Sequence, residues 1–393
     1  MSTVAGFHED LGATFAEVGG RQVVLDYGRP DRTHVAVRTG VGLTEPAYGI
    51  VVVEGSDRIE YVDNAVSNRV PRDDGEGVYA LLLDPQGGIE TDMYVYNAGE
   101  RVLCFTPPER AGPVAEEWAE KTFIQDVAVR EATDEFAVFG IHGPDATEKV
   151  ASVLVGTSTP DRPLSFVRGP VRDEGTTVIR TDAPAGEEGY EVVCAADDAE
   201  AVYDTLLNHG LNAAPFGLRT WETLTLEAGT PLFGTELDGR IPNEVGVRNA
   251  LDFEKGCYVG QEVVSRIENR GTPRKRLVGL ALPEGSSDVD DPGTPDEDDP
   301  GTPDEDDPGT PEDTDAPVPE EGAAVFVGDA AVGEVTRAVR SPTLEERVAM
   351  AVVEADADLG EATVRVDGHP VDADPRSFPL VEGSERSARI PRY

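Results

Sequence analysis

Cysteine is scarce in this chain. Only three are present, Cys104, Cys194 and Cys257, and they lie far apart without a CxxC pair. This distribution argues against a disulfide framework and against a metal site built by this chain alone. The sequence also lacks an apolar run of about 18 residues and a basic-then-apolar N-terminal segment, so we expect neither a membrane span nor a secretory leader. A cytoplasmic protein is the resulting expectation.

Lysine is almost as rare, and the charge balance is strongly acidic. Only four of the 33 basic residues are Lys, whereas Asp and Glu number 77, giving a net charge of −44. An acid-rich, Lys-poor surface resembles that of proteins from salt-loving archaea, where concentrated salt screens the self-repulsion. A cationic partner is the alternative explanation. The acidity disfavours binding to nucleic acid or to an anionic membrane, because both require a basic surface.

Part of the acidity belongs to one segment, 284–321, which holds 17 acidic residues and no basic one. An eight-residue unit, Asp-Asp-Pro-Gly-Thr-Pro-Asp-Glu, occurs at 290–297 and 298–305 and again, with an altered end, at 306–313. The repeats carry like charges and nothing apolar to bury, which predicts a disordered insert. The strand-like runs on either side predict that it forms one long hairpin loop.

The remaining sequence predicts an α+β protein. A hairpin is predicted from strands at 78–83 and 92–96, and strand-then-helix pairs recur at 136–154 and 190–208. A helix is predicted over 57–66, with Asp57 as its N-cap.

Beyond residue 273, the apolar runs are short, rich in Val and Ala, and separated by Gly. Such a pattern predicts a small β-barrel. We therefore divide the chain into an α+β region over 1–272 and a C-terminal β-barrel domain over 273–393, which the insert at 284–321 interrupts.

Several motifs follow one another along the chain. They are Tyr-Gly at 27–28, Gly-Val-Tyr-Ala-Leu-Leu-Leu-Asp at 77–84, Gly-Gly-Ile at 87–89, Gly-Tyr-Glu-Val at 189–192, Leu-Thr-Leu-Glu-Ala-Gly at 224–229, Gly-Glu-Val-Thr at 333–336 and Ser-Pro-Thr at 341–343. In this order they resemble the aminomethyltransferase superfamily, typified by the glycine-cleavage T-protein. The resemblance implies two α+β domains around a folate pocket, a C-terminal β-barrel, and tetrahydrofolate or a related reduced pterin as cofactor.

Residues 255–262, Lys-Gly-Cys-Tyr-Val-Gly-Gln-Glu, form what we call the signature stretch. It is similar to the signature of the YgfZ group within that superfamily, and Ile-Pro-Asn-Glu at 241–244 fits the same group. The similarity implies a folate-binding protein that supports assembly or repair of iron–sulfur clusters, with cluster-assembly or client proteins as partners.

Two departures from T-proteins agree with the YgfZ group. Thr91-Asp92 replaces a pair of aspartates, and Thr106-Pro107-Pro108 replaces a turn containing Asn. Because Asp92 and Glu191 are retained, a tetrahydrofolate-dependent aminomethyltransferase stays open as the alternative, as does a binding module without chemistry.

Cys257 and Lys255 are the candidate catalytic residues. A cation beside a thiol favours the thiolate, and the flanking Gly256 and Gly260 would let a tight turn present it. The alternative for Cys257 is a small buried residue at a domain junction.

Five residues are assigned to folate, namely Asp92, Tyr190, Glu191, Gln261 and Arg270. In the resemblance, Glu191 matches the glutamate that binds the pterin ring, and a carboxylate can accept two N–H bonds from a pterin edge. Arg270 lies in a basic stretch and would pair with the glutamate tail of a folate, since the Arg fork matches carboxylates. Each assignment has a structural alternative. Glu191 would be an exposed strand residue of an acidic surface, and Asp92 would flank a turn. Gln261 would only begin a helix, and the Arg residues would form internal salt bridges.

Overall fold

The computed structural model describes residues 2–283 and 317–390. Within them the α-helices are α1 (Ala5–Asp10), α2 (Pro30–Thr39), α3 (Arg58–Ala65), α4 (Ala111–Glu120), α5 (Ala146–Val153), α6 (Ala199–Asn208), α7 (Leu218–Ala228) and α8 (Gln261–Arg270). The strands are β1 (Thr14–Val18), β2 (Arg21–Asp26), β3 (Gly42–Thr44), β4 (Gly49–Glu54), β5 (Glu76–Leu83), β6 (Ile89–Asn97), β7 (Arg101–Thr106), β8 (Ala128–Glu131), β9 (Phe136–His142), β10 (Phe166–Val171), β11 (Glu174–Arg180), β12 (Gly189–Ala195), β13 (Ala214–Pro215), β14 (Lys275–Leu282), β15 (Ala324–Val327), β16 (Ala330–Ser341), β17 (Glu346–Glu354), β18 (Ala362–Val366), β19 (His369–Asp372) and β20 (Asp374–Arg376).

Two sheets pack face to face and enclose the largest core. One has the order β5-β6-β7-β4-β8 and the other the order β10-β11-β12-β9-β3-β13. Side chains alternate along a strand, so Tyr94 and Tyr96 of β6 point into this core together with Val193 of β12. Residues on the opposite faces pack against helices, with α4 covering the first sheet and α5 and α6 covering the second. The arrangement is the α+β layering expected from the sequence.

The C-terminal region is a curled sheet of order β19-β18-β15-β16-β17-β14-β20, with its own apolar core. The predicted disorder of the insert concerns residues that lie mostly outside the described ones. The hairpin prediction for it is wrong, because β14 pairs with β17 and β20, whereas β15 pairs with β16 and β18. The buried Arg347 joins the described residues on the two sides of the gap, since its guanidinium donates to the carbonyls of Pro283 (3.1 Å) and Pro317 (3.0 Å).

Asp57 occupies the N-cap position of α3, as predicted, but its carboxylate makes no capping bond. It accepts a hydrogen bond from the backbone N–H of Asp126 instead, at 2.8 Å. The loop that follows α4 is thereby tied to the start of α3.

None of the helices in the described ranges is long and apolar enough to span a bilayer.

Candidate functional site

A cavity of about 750 Å³ opens at one end of the space between the two facing sheets. We call it the central cavity. Strand β6 contributes Asp92 and Tyr94, and β12 contributes Glu191 from the opposite sheet. Further parts of the wall come from the segment between β3 and β4, from α7, and from residues 232–235. The cavity therefore brings together side chains that are about 100 residues apart in sequence.

Asp92 is buried at the edge of the cavity. Its Oδ2 accepts a hydrogen bond from the Tyr79 hydroxyl at 2.9 Å and lies 3.7 Å from Nη1 of Arg389. Burial raises the pKa of Asp92, an effect that the Arg389 charge and the Tyr79 hydrogen bond partly oppose. Oδ1 of Asp92 has no hydrogen-bond partner in the described structure. A carboxylate so placed can exchange a proton with a bound group.

Arg389 holds the wall beside Asp92 in place. Its Nε donates to Oδ2 of Asp182 at 3.2 Å, and its guanidinium also donates to the hydroxyl of Tyr94. The guanidinium carbon lies 4.3 Å from the centre of the Tyr79 ring, within cation–π range. Tyr94 in turn donates to Oδ1 of Asp182 at 2.6 Å. A residue near the C-terminal end of the described chain thus completes a site formed by the first half.

Glu191 faces the same cavity from the opposite sheet. Its Oε1 accepts a hydrogen bond from the Tyr48 hydroxyl at 2.6 Å, whereas Oε2 has no partner in the described structure. Burial raises the pKa of Glu191 to about 7, although the Tyr48 hydrogen bond opposes this rise. The side chain therefore changes charge near neutral pH, and one of its buried oxygens lacks a hydrogen-bond partner.

Aromatic groups supply the flat part of the wall. His142 and Trp221 both line the cavity, with ring centres 5.2 Å apart, and Phe233 lies on the same lining. Burial lowers the pKa of His142 to about 4, so the ring is neutral at ordinary pH. Its Nδ1 has no hydrogen-bond partner in the described structure. The cavity thus offers ring faces together with acceptors that are not yet used.

The segment between β3 and β4 is fixed from behind by the N-terminal residues. Oε2 of Glu45 accepts a hydrogen bond from Ser2 (2.5 Å) and pairs with Nε2 of the buried His8 (3.0 Å). Burial alone would raise the pKa of Glu45, but the bonds from His8 and Ser2 lower it overall. Because Tyr48 follows three residues later, this anchoring also helps to set the position of the hydroxyl that contacts Glu191.

Of the residues predicted from sequence, the structure brings Asp92 and Glu191 together at the central cavity. It does not bring Tyr190 there. Tyr190 is adjacent to Glu191 in β12 and therefore points to the other face, where it is buried in the second core and its hydroxyl contacts Thr147 at 2.8 Å. Its predicted contact with folate has no support in this geometry and stays a prediction.

Lys255 lies outside the cavity and is buried. Its Nζ donates to the backbone carbonyls of Val66 (2.9 Å), Asn68 (2.8 Å) and Asp63, where α3 ends. Burial lowers the pKa of Lys255, against the opposing effect of the Asp63 carboxylate. All three donors of the ammonium group are directed at carbonyl oxygens. The side chain therefore ties the signature stretch to α3, and a catalytic role for it stays a prediction.

Cys257 is exposed, in contrast to the two other cysteines, which are buried. Gln261 begins α8 and Arg270 ends it. None of these three residues lines the central cavity as described. Their predicted roles in catalysis and in folate binding are therefore not supported by proximity to Asp92 and Glu191, and they stay predictions.

Several residues of the site were not anticipated from the sequence. Tyr48 and Tyr79 are the hydrogen-bond donors to the two key carboxylates, and Arg389 and Asp182 form the supporting ion pair. Tyr79 lies in the motif at 77–84, so the sequence did offer a reason to consider it as a site residue. Arg389 lies in an irregular C-terminal segment, and no local pattern identifies it.

Comparison with known proteins agrees with this architecture. Residues 4–255 match the family described as the GCVT N-terminal domain, and residues 310–382 match the glycine cleavage T-protein C-terminal barrel domain. The chain belongs to the GCVT family.

Among the curated relatives, proteins named aminomethyltransferase from Halalkalibacterium halodurans and Geobacillus kaustophilus are 28% and 29% identical to this chain. Each match covers 91% of both chains. The crystal structure of the glycine cleavage system aminomethyltransferase T from Bartonella henselae superposes with a TM-score of 0.78 at 20% identity, covering 98% of each chain. The predicted fold class, an α+β core of two domains with a C-terminal barrel domain, is confirmed.

Proposed function

We propose that this GCVT-family protein binds a reduced folate in the central cavity and transfers an aminomethyl-type one-carbon unit. One observation carries the proposal. Two buried carboxylates, Asp92 and Glu191, face the same cavity from opposite sheets, and each has one oxygen without a partner. A buried acceptor without a donor is costly, at about 1–3 kcal/mol each, so a ligand rich in N–H groups would stabilise the site.

A pterin ring fits the residues present. Its edge carries an amide N–H beside an amino group, and a carboxylate accepts such a pair of donors well. Oε2 of Glu191 has no partner, and Oε1 accepts from Tyr48 but keeps a second lone pair, so both oxygens can accept from the pterin edge. The rings of Trp221 and Phe233 would contact the flat face of the pterin. When bound, tetrahydrofolate would supply the ring nitrogens that carry the one-carbon unit.

Asp92 is the residue proposed to move a proton. Its raised pKa brings the carboxyl closer to neutrality, where a group serves best as an acid or a base. Tyr79 and Arg389 contact Oδ2, so Oδ1, which has no partner in the described structure, is the oxygen proposed to exchange the proton with the reacting amine. Arg389 would also keep Asp92 from becoming permanently protonated in this acidic surrounding. The name shared by the curated relatives, aminomethyltransferase, supports transfer in preference to binding alone.

Support of iron–sulfur cluster assembly or repair, as in the YgfZ group, is the second candidate. The observation that favours it is the signature stretch, which displays the Cys257 thiol to solvent outside the central cavity. A thiol used on the substrate of the cavity would be expected to line it. Cluster-assembly or client proteins would then be the partners of a cytoplasmic protein that also binds folate.

Two measurements test these proposals. Calorimetric titration with 5-formyltetrahydrofolate should show binding to the native protein, and Glu191→Gln should weaken it at least tenfold, because an amide N–H₂ would then face the pterin donors. Unchanged affinity would contradict the pterin assignment. In a deletion strain, the first proposal expects loss of folate-dependent aminomethyl transfer, restored by Cys257→Ser but not by Asp92→Asn. The second candidate expects low activity of cluster-containing enzymes, restored by Asp92→Asn but not by Cys257→Ser.

A further inference from the structure

The two most exposed large apolar side chains in the described ranges are neighbours. Phe123 and Ile124 are 84% and 93% exposed, and they lie in the loop after α4. Ile124 lines a groove of about 660 Å³, and the half-exposed Val259 of the signature stretch lines it as well. Single exposed apolar residues are normal, but a group of them around a groove marks a contact site for another molecule.

The groove has a fixed floor and walls. It runs between α3 and the end of α4, over Trp118 and Leu82. Tyr61 of α3 packs edge-on against Trp118, with ring centres 6.0 Å apart, and its hydroxyl donates to the Trp118 carbonyl at 2.6 Å. The two helices are thereby joined, so the groove is formed before any partner binds. None of its lining residues is shared with the central cavity.

The groove also has a definite charge. Four carboxylates line it, from Asp57, Glu60, Glu90 and Glu117, against one cation, Lys121. Lys121 already pairs with Glu117 one helical turn earlier. Acidity is general in this chain, so the apolar side chains define the place of contact and the carboxylates select the sign of the partner. A complementary surface would carry Lys or Arg around an apolar centre.

We propose that this groove is a docking surface for a partner protein that inserts an apolar side chain flanked by Lys or Arg. The inference goes beyond the proposed function, because it concerns a surface separate from the cavity. The chain's own acidic insert is a poor occupant, since residues 284–321 carry 17 acidic and no basic residues. A second copy would bring the same acidic face, and like charges in contact are unfavourable.

The signature stretch is held in a manner that suits such a surface. Lys255 and Tyr258 are buried, whereas Cys257 and Val259 are exposed. A Cβ added to Gly260 would lie 2.6 Å from the carbonyl oxygen of Asp84, so this position requires glycine, as does its φ of +77°. Two buried anchors and one close backbone contact therefore fix the backbone that places Val259 at the groove.

Site-specific photo-crosslinking in the producing cells tests the proposal. Benzoylphenylalanine replaces Phe123, which preserves the aromatic ring, and a control protein carries it at Leu211, which is exposed and lies outside the groove. We expect a crosslink to another protein that is much stronger at position 123 than at 211, and the crosslinked peptide should contain apolar residues next to Lys or Arg. A crosslink to a second copy, to residues 284–316, to a peptide without Lys or Arg, or with equal yield at the control position would overturn the proposal.

The crosslinked peptide, made synthetically, is then titrated into purified native protein. The double variant Phe123→Ser, Ile124→Ser should weaken its binding at least tenfold, because two exposed apolar contacts are lost. Glu60→Gln with Glu90→Gln should weaken it severalfold at low salt and less at high salt. Affinity for 5-formyltetrahydrofolate should equal that of the native protein in both variants, which shows that they fold. Peptide affinity unchanged by the double apolar variant would refute the docking site.

Discussion

Replacing Glu191 by Gln is expected to stabilise the protein at alkaline pH. The pKa of Glu191 in the folded chain is raised to about 7 from 4.5, chiefly by burial. The folded state therefore holds a proton that the unfolded chain releases, so stability from this group is fully present below pH 4.5 and is lost as pH rises through 7. Since one pKa unit corresponds to about 1.4 kcal/mol, the ionised side chain costs the folded protein about 3 kcal/mol at pH 8.5. Gln carries no such cost, and its carbonyl can still accept the hydrogen bond from Tyr48.

Urea unfolding at constant salt measures this effect. The free energy of unfolding of Glu191→Gln, minus that of the native protein, should grow by about 2–3 kcal/mol between pH 5 and pH 8.5. Exposed Glu200→Gln serves as the control, and its difference should stay within about 0.5 kcal/mol at both values. A difference for Glu191→Gln that is independent of pH, or that falls as pH rises, would refute the argument that a buried carboxylate is kept in the cavity at the expense of stability.

Three further outcomes follow from the same contacts. Asp92→Asn should keep the affinity for folate within a fewfold but lower kcat by about 10²–10⁴ in a steady-state transfer assay, because Asn cannot exchange the proton. An unchanged kcat would show that Asp92 takes no part in the chemistry. Lys255→Met should lower the free energy of unfolding by about 3 kcal/mol, since three carbonyls at the end of α3 lose their donor. Lys121 is exposed, so the control variant Lys121→Met should change the free energy of unfolding by less than about 0.5 kcal/mol. A thiol reagent should titrate one cysteine, Cys257, in the native protein and three after unfolding; two or more fast-reacting native thiols would contradict the burial of the others.

Local patterns predicted the layers of the fold well. The strand-like runs at 78–83 and 92–96, and the turn between them, identified the hairpin that carries Asp92. The pairing of the strands that precede and follow the insert, β14 and β15, could not be predicted from local patterns. Strand-like runs on either side of it indicate two strands, but only the tertiary pairing shows that β16 and β17 lie between them.

In the candidate site, too, residues in strands with a recognisable pattern were predicted, and residues placed only by tertiary contacts were not. Motifs located Asp92 and Glu191, because each lies in a strand with a recognisable pattern. Strand alternation could have excluded Tyr190, since neighbouring residues of one strand face opposite sides and Glu191 was already assigned to the pocket. Arg389 could not be found, because its ion pair with Asp182 joins segments about 200 residues apart and neither segment shows a periodic pattern.

The structure also assigns different environments to two residues for which the sequence suggested a joint role. Lys255 and Cys257 are scarce residue types two positions apart, and this proximity suggested an ammonium group that activates a thiol. The Lys255 ammonium instead donates to carbonyls of the segment that ends α3 and pairs with the Asp63 carboxylate, while the Cys257 thiol is exposed to solvent. The stretch is anchored by Lys255 and Tyr258 and displays Cys257 and Val259, and none of these residues lines the cavity. Its role and that of Asp92 and Glu191 should therefore be separable by mutation. Variants of the cavity should alter folate binding or transfer without affecting docking, and variants of the groove should do the reverse.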